Sequence, residues 1–294
     1  MTDIKTQFDP ILRNLLKNKN KIAIIPIGSI EQHGPHLPIS TDSDIVSKVA
    51  KKLSDKNDYL LLPTITYGNS FEHAPFFNLS IKESTLRAIL IDLCTSLLEN
   101  NIKTIFIING HHGNLKSIKD IDLKIRKKLK NKVKVFSLSY WHFMDKDFDH
   151  AGFVETSLML AISKNVKMKL AKKGLITDKM TKQEIIKIGK LANKSFPKAT
   201  KNGIWGDPTK ATKKEKVVEP VGEITLKQSE KLEQCEWVFQ FDDDEPQVFA
   251  WTSEDMTNEE PTVTFTISNT KDAYISFTNK ETFSVNWPPS SYPT

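Results

Sequence analysis

Between residues 31 and 42 the chain reads EQHGPHLPISTD, which sets Glu31, His33, His36 and Asp42 in one short stretch with two prolines. Glu31 and His33 are two apart, so in an extended segment both side chains leave the same side of the backbone. Pro35 and Pro38 stiffen the path onward to Asp42. A second group, NGHHGN at 109–114, brings His111 and His112, and Gly110 and Gly113 allow close backbone approach. A third, DHAGFVETS at 149–157, adds Asp149, His150 and Glu155. Hydrolysis by a pair of metal ions needs carboxylates and imidazoles on both ions, and one carboxylate to bridge them about 3.5–4 Å apart. This nitrogen and oxygen mixture suits zinc, manganese or iron(II) and argues against calcium or an iron–sulfur cluster. The plain alternative for each cluster is a charged surface turn, and the surrounding elements decide between the two.

Four apolar runs of strand length are present: KIAIIPIG (21–28), YLLLPTI (59–65), KTIFIING (103–110) and VKVFSLS (133–139). Their apolarity is continuous rather than alternating, which predicts strands buried on both faces. Helical patterns lie between them. The clearest follows Ser80, where SIKE offers a capping box and Leu86, Leu90, Leu93 and Leu97 recur at helical spacing. Strands alternating with helices predict an α/β fold of βαβ units with a mostly parallel sheet. The 31–42 loop starts just past the first strand, and NGHHGN starts where the third ends. Open α/β sheets bind ligands beyond the carboxyl ends of their strands, so both clusters fall on the functional edge.

The rest of the chain bounds the function. Its 294 residues suffice for one large α/β domain with a real core. No apolar run reaches the roughly 18 residues of a membrane span. The start, MTDIKTQFDPILRN, has no signal-peptide stretch, which favours the cytoplasm. Cys94 and Cys235 match no disulfide framework or metal-finger spacing, and Cys94 falls in a helical core pattern. From Glu236 onward there are eleven acidic residues against two lysines, a net of −9, within a chain of net +6. The lysines of the body are scattered through stretches such as KIRKKLKNK, which reads as a solvated face and not as a nucleic-acid site. Three of the five tryptophans lie after residue 235, where PTVTFTIS and AYISFTN alternate as strands do. We therefore divide the chain into a catalytic domain, 1–234, and a small acidic, aromatic-rich β appendage, 235–294. FDDDEPQ reads as the appendage's exposed turn, solvated rather than a calcium site.

Taken together, EQHGPHLPISTD, NGHHGN and HAGFVETSLML resemble the creatininase (creatinine amidohydrolase) family, and NGIWGDPTKAT at 202–212 is similar to a segment near that family's C-terminal end. The resemblance covers roughly residues 15 to 234, with the motifs in order. It implies a layered α/β fold, two divalent metal ions per chain, a ring-like homo-oligomer, and hydrolysis of non-peptide or cyclic amide C–N bonds by hydroxide generated at the metals. Carried over by position, it implies metal-ligand roles for Glu31, His33, Asp42 and His111, with Asp42 as the bridge. It places Glu155 at the metals and makes His150 a catalytic, substrate-contacting histidine; Asp149, next to it in the chain, reads either as a carboxylate that orients the ring or as one that faces solvent. His36 falls at a position open equally to a metal ligand and to a ligand-supporting histidine on the substrate-binding side, His112 on the pocket wall, and Trp141 on the first of two substrate-stacking tryptophans. His142 and Asp44 read as structural.

The sequence also departs from creatininase proper. A glutamate of that enzyme is replaced by Gly113, the usual FPGT reads PFFN at 75–78, and the second stacking tryptophan has no counterpart. These departures favour another small-molecule amide over creatinine, with a formamide on a pyrimidine nucleotide first. Creatinine itself is the alternative substrate, and a catalytically silent binding protein on the same fold is the alternative of another class.

Overall fold

The computed structural model describes residues 2–17, 21–144 and 149–213, and beyond them the backbone of six further strands. The chain divides into two compact units, Met1–His142 with Phe148–Glu215, and Phe143–Asp147 with Lys216–Thr294. The first unit runs β1 (Thr2–Asp3), α1 (Asp9–Lys17), β2 (Ile22–Ile27), α2 (Thr41–Asn57), β3 (Leu60–Leu61), α3 (Glu83–Glu99) and β4 (Thr104–Asn109). It continues with α4 (Leu115–Ile118), α5 (Ile121–Lys128), β5 (Lys134–Ser139), α6 (Phe153–Ile162), α7 (Lys182–Ala192) and α8 (Phe196–Thr200).

The five strands form one parallel sheet in the order β1-β3-β2-β4-β5. Central strands β2 and β4 carry Ala23, Ile25, Ile27, Ile105 and Ile107 at 0% exposure, as continuous apolar runs in a doubly covered sheet require. The second run makes a much shorter strand than its composition suggests, because Pro63 follows Leu62 and turns the chain out of the ladder. Pro26 is tolerated inside β2 for the same reason. Its carbonyl accepts from Ile65 N–H at 2.9 Å, so its nitrogen faces the side where β3 has already departed.

Helix α3 covers the core with Leu86, Leu90, Cys94 and Leu97, all buried. Its start differs from the sequence expectation. The helix begins at Glu83 with Lys82 as cap, and Ser80 does not cap it. The Ser80 hydroxyl instead donates to Asn78 Oδ1 (2.7 Å) and accepts from Ser70 N–H (3.1 Å), binding together two parts of the loop that precedes the helix.

In the second unit, Thr225–Gln228, Gln234–Phe239 and Gln247–Thr252 form one antiparallel sheet. Val263–Thr266, Tyr274–Thr278 and Thr282–Asn286 form another. The first of these strands precedes the change of composition near residue 235, because strand pairing and not aromatic content marks where the sheet begins. The acidic run 242–245 lies outside the described residues. No helix among the described residues is long and apolar enough to cross a membrane.

Candidate metal centre

Three segments that follow parallel strands supply the polar cluster. Glu31 and His33 lie just after β2, on a loop closed by Glu31 N–H to the Ile39 carbonyl (3.0 Å). That loop feeds α2, whose first turn holds Asp42, where the helix dipole favours a carboxylate. His111 follows β4 by two residues. His150 and Glu155 come after β5, and Glu155 sits in the first turn of α6. Glu31, His33 and Glu155 are 0% exposed, and Asp42 and His111 scarcely more.

The side chains converge on Asp42. His33 Nε2 lies 3.2 Å from Asp42 Oδ1 and 3.5 Å from Glu155 Oε2. His111 Nδ1 lies 3.2 Å from Asp42 Oδ2, and Nε2 3.1 Å from Glu31 Oε2. Two groups able to hold an ion therefore share Asp42: Glu31–Asp42–His111 and His33–Asp42–Glu155. A third, Glu31–His33–His150, borders both.

The rear nitrogens of the two shared histidines are already committed. His33 Nδ1 donates to the Glu31 carbonyl (3.1 Å), which leaves Nε2 for an ion. His111 Nε2 donates to the Asn69 carbonyl (2.8 Å), which leaves Nδ1 facing Asp42. Backbone carbonyls behind ligand imidazoles are the usual way a fold fixes their tautomer and orientation. Each of the three carboxylates also keeps one buried oxygen without a hydrogen-bond donor: Glu31 Oε1, Asp42 Oδ2 and Glu155 Oε1. Orphaned carboxylate oxygens in a dry site are costly unless a cation takes them. On these observations the residues fit bound divalent metal.

Charge tells the same story. Burial alone would strip the imidazolium from His33, yet the carboxylates of Asp42, Glu155 and Glu31 outweigh it and push the pKa up to about 10. His111 is pushed up to about 10 in the same way, by Glu31 and Asp42 against burial. Burial raises Glu31 to about 7 and Glu155 well above the usual carboxylate range. Asp42 is moved the other way, because its two histidines outweigh the cost of burial. Three dry carboxylates thus recruit protons onto two imidazoles.

The remaining residues singled out in the sequence divide. His150 joins the cluster, with Nδ1 3.7 Å from Glu31 Oε1 and its ring 4.3 Å from that of His33. Burial, with the nearby histidines, holds its pKa well below the ordinary value. His36 is in none of the three metal groups. It is buried behind the loop with Nε2 2.9 Å from Thr156 Oγ1, and burial followed by His33 lowers its pKa to about 4. His112 opens the turn after His111. Trp141, half-buried, follows β5 and meets the Tyr140 ring edge-on at 5.3 Å.

Asp149 does not orient the His150 ring, contrary to the sequence expectation. Its carboxylate accepts from the N–H groups of Val154 (2.8 Å) and Glu155 (3.2 Å), capping α6 and so holding Glu155 in place. Asp44 accepts from Ser40 Oγ at 2.8 Å, a structural role.

The loop at 69–73 escaped the sequence reading. Besides the Asn69 carbonyl, it brings Ser70, which bonds to Ser29 behind Glu31, and His73, whose Nε2 is 3.2 Å from Glu31 Oε1. His73 stacks on Phe196 of α8 (4.5 Å), and His150 meets the same ring edge-on (4.6 Å). The same loop accounts for Gly113. A Cβ there would fall against the Asn69 carbonyl, the His111 imidazole and, at 2.8 Å, Glu72 Oε1, so the space beside His111 is already filled by a carboxylate from another segment. NGIWGDPTKAT also acquires a role, since Trp205 exchanges both backbone hydrogen bonds with His150 (3.1 and 2.8 Å).

Comparison with known proteins agrees with this geometry. Residues 10–220 match the creatininase family, described as creatinine amidohydrolase. The mycofactocin precursor peptide peptidase of Mycobacterium ulcerans is 29% identical over 64% of this chain and 76% of its own length. A deformylase of 2-amino-5-formylamino-6-ribosylaminopyrimidin-4(3H)-one 5'-monophosphate from Methanosphaera stadtmanae is 33% identical over 53% of this chain and 65% of its own. The crystal structure of a creatinine amidohydrolase superposes with a TM-score of 0.61 at 20% identity, covering 72% of this chain and 89% of that one. Solved creatininase structures include a Zn–Zn type and a manganese form.

Proposed function

Because the chain belongs to the creatininase family, whose members are amidohydrolases acting on C–N bonds, we propose that it is a dinuclear-metal amidohydrolase with Asp42 as the bridging ligand. One observation carries this reading: Asp42 is shared by two buried ligand groups whose carboxylates each keep an oxygen without a donor. Glu31, Asp42 and His111 would hold one ion, and His33, Asp42 and Glu155 the other. Zinc, manganese or iron(II) suits these donors. When bound, such ions supply a Lewis acid and lower the pKa of water towards about 7.

The chain's own residues do the rest. His150, beside Glu31 and against His33, holds the proton that a leaving amine requires, and Phe196 fixes the plane of its ring. His112 and Trp141 follow the ends of β4 and β5 and are assigned to the substrate side, while His36 braces the loop through Thr156. Our first choice of substrate is a formamide on a pyrimidine nucleotide, supported by the likeness to the Methanosphaera deformylase. A short peptide amide is the second reading, favoured by the longer match to the mycofactocin precursor peptidase. Incubating the zinc- or manganese-loaded protein with a formamide, creatinine and a short peptide tests both. A metal-loaded chain that hydrolyses none of a broad panel would instead be a silent binding protein.

Creatinine should be the poorest of the three. One aromatic pair is worth about 0.5–1.5 kcal/mol beyond area burial, so losing one side of a stacking sandwich costs up to about tenfold in kcat/KM. Of the two stacking positions that the resemblance implies, Trp141 fills the first and the second has no counterpart. Creatinine turnover equal to that of the best formamide reverses this ranking.

The second unit should be dispensable for the chemistry. Every residue assigned above lies in the first unit, between Glu31 and Trp205. A chain stopped at Glu215 should keep its metal content and its turnover within about threefold, because no reacting group is removed. We assign the acidic strands a role in assembly of a homo-oligomer, read from the mass in solution. A soluble truncation of unchanged mass that binds metal but turns nothing over refutes this division.

A further inference from the structure

We propose that Gln32, lying between the ligands Glu31 and His33, is a positioning residue that sets the ring tautomers of both His73 and His150 through a single side-chain amide. The proposal rests on the amidohydrolase reading for its consequence, but its geometry stands apart from it. Gln32 is buried, at 9% exposure, and its amide orientation is fixed by the backbone. Oε1 accepts from Gly34 N–H at 3.0 Å, and a backbone N–H can only donate, so Nε2 is the donor end.

Nε2 stands 2.9 Å from His73 Nδ1 and 3.1 Å from His150 Nε2. An amide nitrogen offers two hydrogens and no lone pair for acceptance, so each ring nitrogen that it faces is bare. A neutral imidazole with one bare nitrogen carries its hydrogen on the other. His73 therefore carries its hydrogen on Nε2, 3.2 Å from Glu31 Oε1, and His150 on Nδ1, 3.7 Å from the same oxygen. Neither approach closes a hydrogen bond, so Glu31 Oε1 stays free for an ion, and the His150 proton lies on the side of the metal groups.

One contact opposes this. The main-chain carbonyl of Gln32 is also 3.1 Å from His150 Nε2 and would favour a hydrogen there. In that tautomer the second amide hydrogen of Gln32 would meet a ring N–H head-on, two donors 3.1 Å apart. The amide therefore decides. Room for it is built into the fold: Gly203 has a φ of +76°, and a Cβ at that position would overlap Gln32 Oε1. Gly203 is the first glycine of NGIWGDPTKAT, so that segment holds His150 by its backbone and leaves space for the amide that sets its ring.

The test inverts the donor without changing its shape. In zinc-loaded full-length protein, 15N spectra of the histidine rings distinguish a bare nitrogen from a protonated one without any turnover. Wild type should show His150 and His73 with hydrogen on Nδ1 and Nε2 respectively. Gln32→Glu turns the donor into an acceptor and should flip both rings, with zinc content unchanged. Turnover should fall within the roughly 10²–10⁴-fold range of general acid–base catalysis, in kcat with KM within about threefold. Gln32→Met, which removes the donor without adding charge, should leave His150 with hydrogen on Nε2, facing the main-chain carbonyl, at full zinc content.

A wild-type His150 with hydrogen on Nε2 overturns the proposal. So does a Gln32→Glu or Gln32→Met variant in which both rings keep the wild-type tautomers. If the wild-type protein takes up no zinc, the function reading fails, while the tautomers, read in the metal-free protein, still decide the role of Gln32.

Discussion

Replacing Asp42 with Asn should strip the protein of both metal ions, whereas replacing His150 with Ala should leave both in place and stop turnover. Asp42 is the one residue common to the two ligand groups, with Oδ1 towards His33 and Oδ2 towards His111. An amide at that position keeps one weak acceptor and puts an NH2 group against one of two ring nitrogens meant for ions. Outer-shell changes already cost about 10- to 100-fold in metal affinity, and the loss of a shared ligand should exceed that for both ions. His150 by contrast belongs to neither of the two groups that share Asp42. Its removal takes away a proton carrier, worth about 10²–10⁴ in kcat. Elemental analysis after gel filtration, with a thermal melt as the control for folding, reads the first result, and kcat at saturating substrate reads the second. Loss of one ion in His150→Ala would make His150 a ligand through the Glu31–His33–His150 group. One ion firmly retained in Asp42→Asn would end the bridging assignment.

The parts of this molecule that were legible in its sequence share a physical cause. β2 and β4 were readable because strands buried on both faces must be apolar at most positions, and Ile22–Ile27 and Thr104–Asn109 are. The cluster was readable because carboxylates and imidazoles gather just past the ends of buried strands, where an α/β sheet opens its binding crevice and a solvated surface turn has no need to lie. What stayed hidden is the scaffold behind the ligands. Ser70, Glu72 and His73 sit in a loop that follows a strand cut to two residues, so nothing local marked it as lying at the sheet edge. Phe196 is an ordinary aromatic of a five-residue helix, and only the fold brings it under two histidines. Asp149 was visible but misread, since a carboxylate next to a histidine in sequence gives no sign that its oxygens will turn back to cap a helix. Ser80 failed as a cap for a related reason, because a hydroxyl matching a capping pattern can serve a neighbouring loop.

Metal binding should release at least two protons per chain near pH 7, and affinity should weaken steeply as the pH is lowered. Without ions, the carboxylates hold His33 and His111 as imidazolium, each with a pKa pushed up to about 10. An ion needs the bare nitrogen, so each must lose its proton on loading. Two protons exchanged for two ions give an overall constant that falls about 100-fold per pH unit while both rings start protonated. Glu31, raised to about 7 by burial, and Glu155, raised well above its ordinary value by burial, add to the protons released. The sign for folding follows from the same shifts. His33 and His111 have folded pKa values above the ordinary 6.5, so their contribution to the stability of the metal-free chain is complete below that value and is lost as pH rises through about 10. Asp42, shifted down, contributes above its ordinary 3.8 and loses that contribution only as the pH falls through its lower folded value. Chelated protein should therefore lose thermal stability between pH 8 and about 10, while zinc-loaded protein, whose ions replace those protons, should not. Titration calorimetry with zinc in two buffers of different ionisation enthalpy measures the protons released, and melts with and without chelator measure the second effect. Release well below one proton, or an affinity flat from pH 6 to 8, would mean that the ions do not displace protons from these rings, and that the ligand set lies elsewhere.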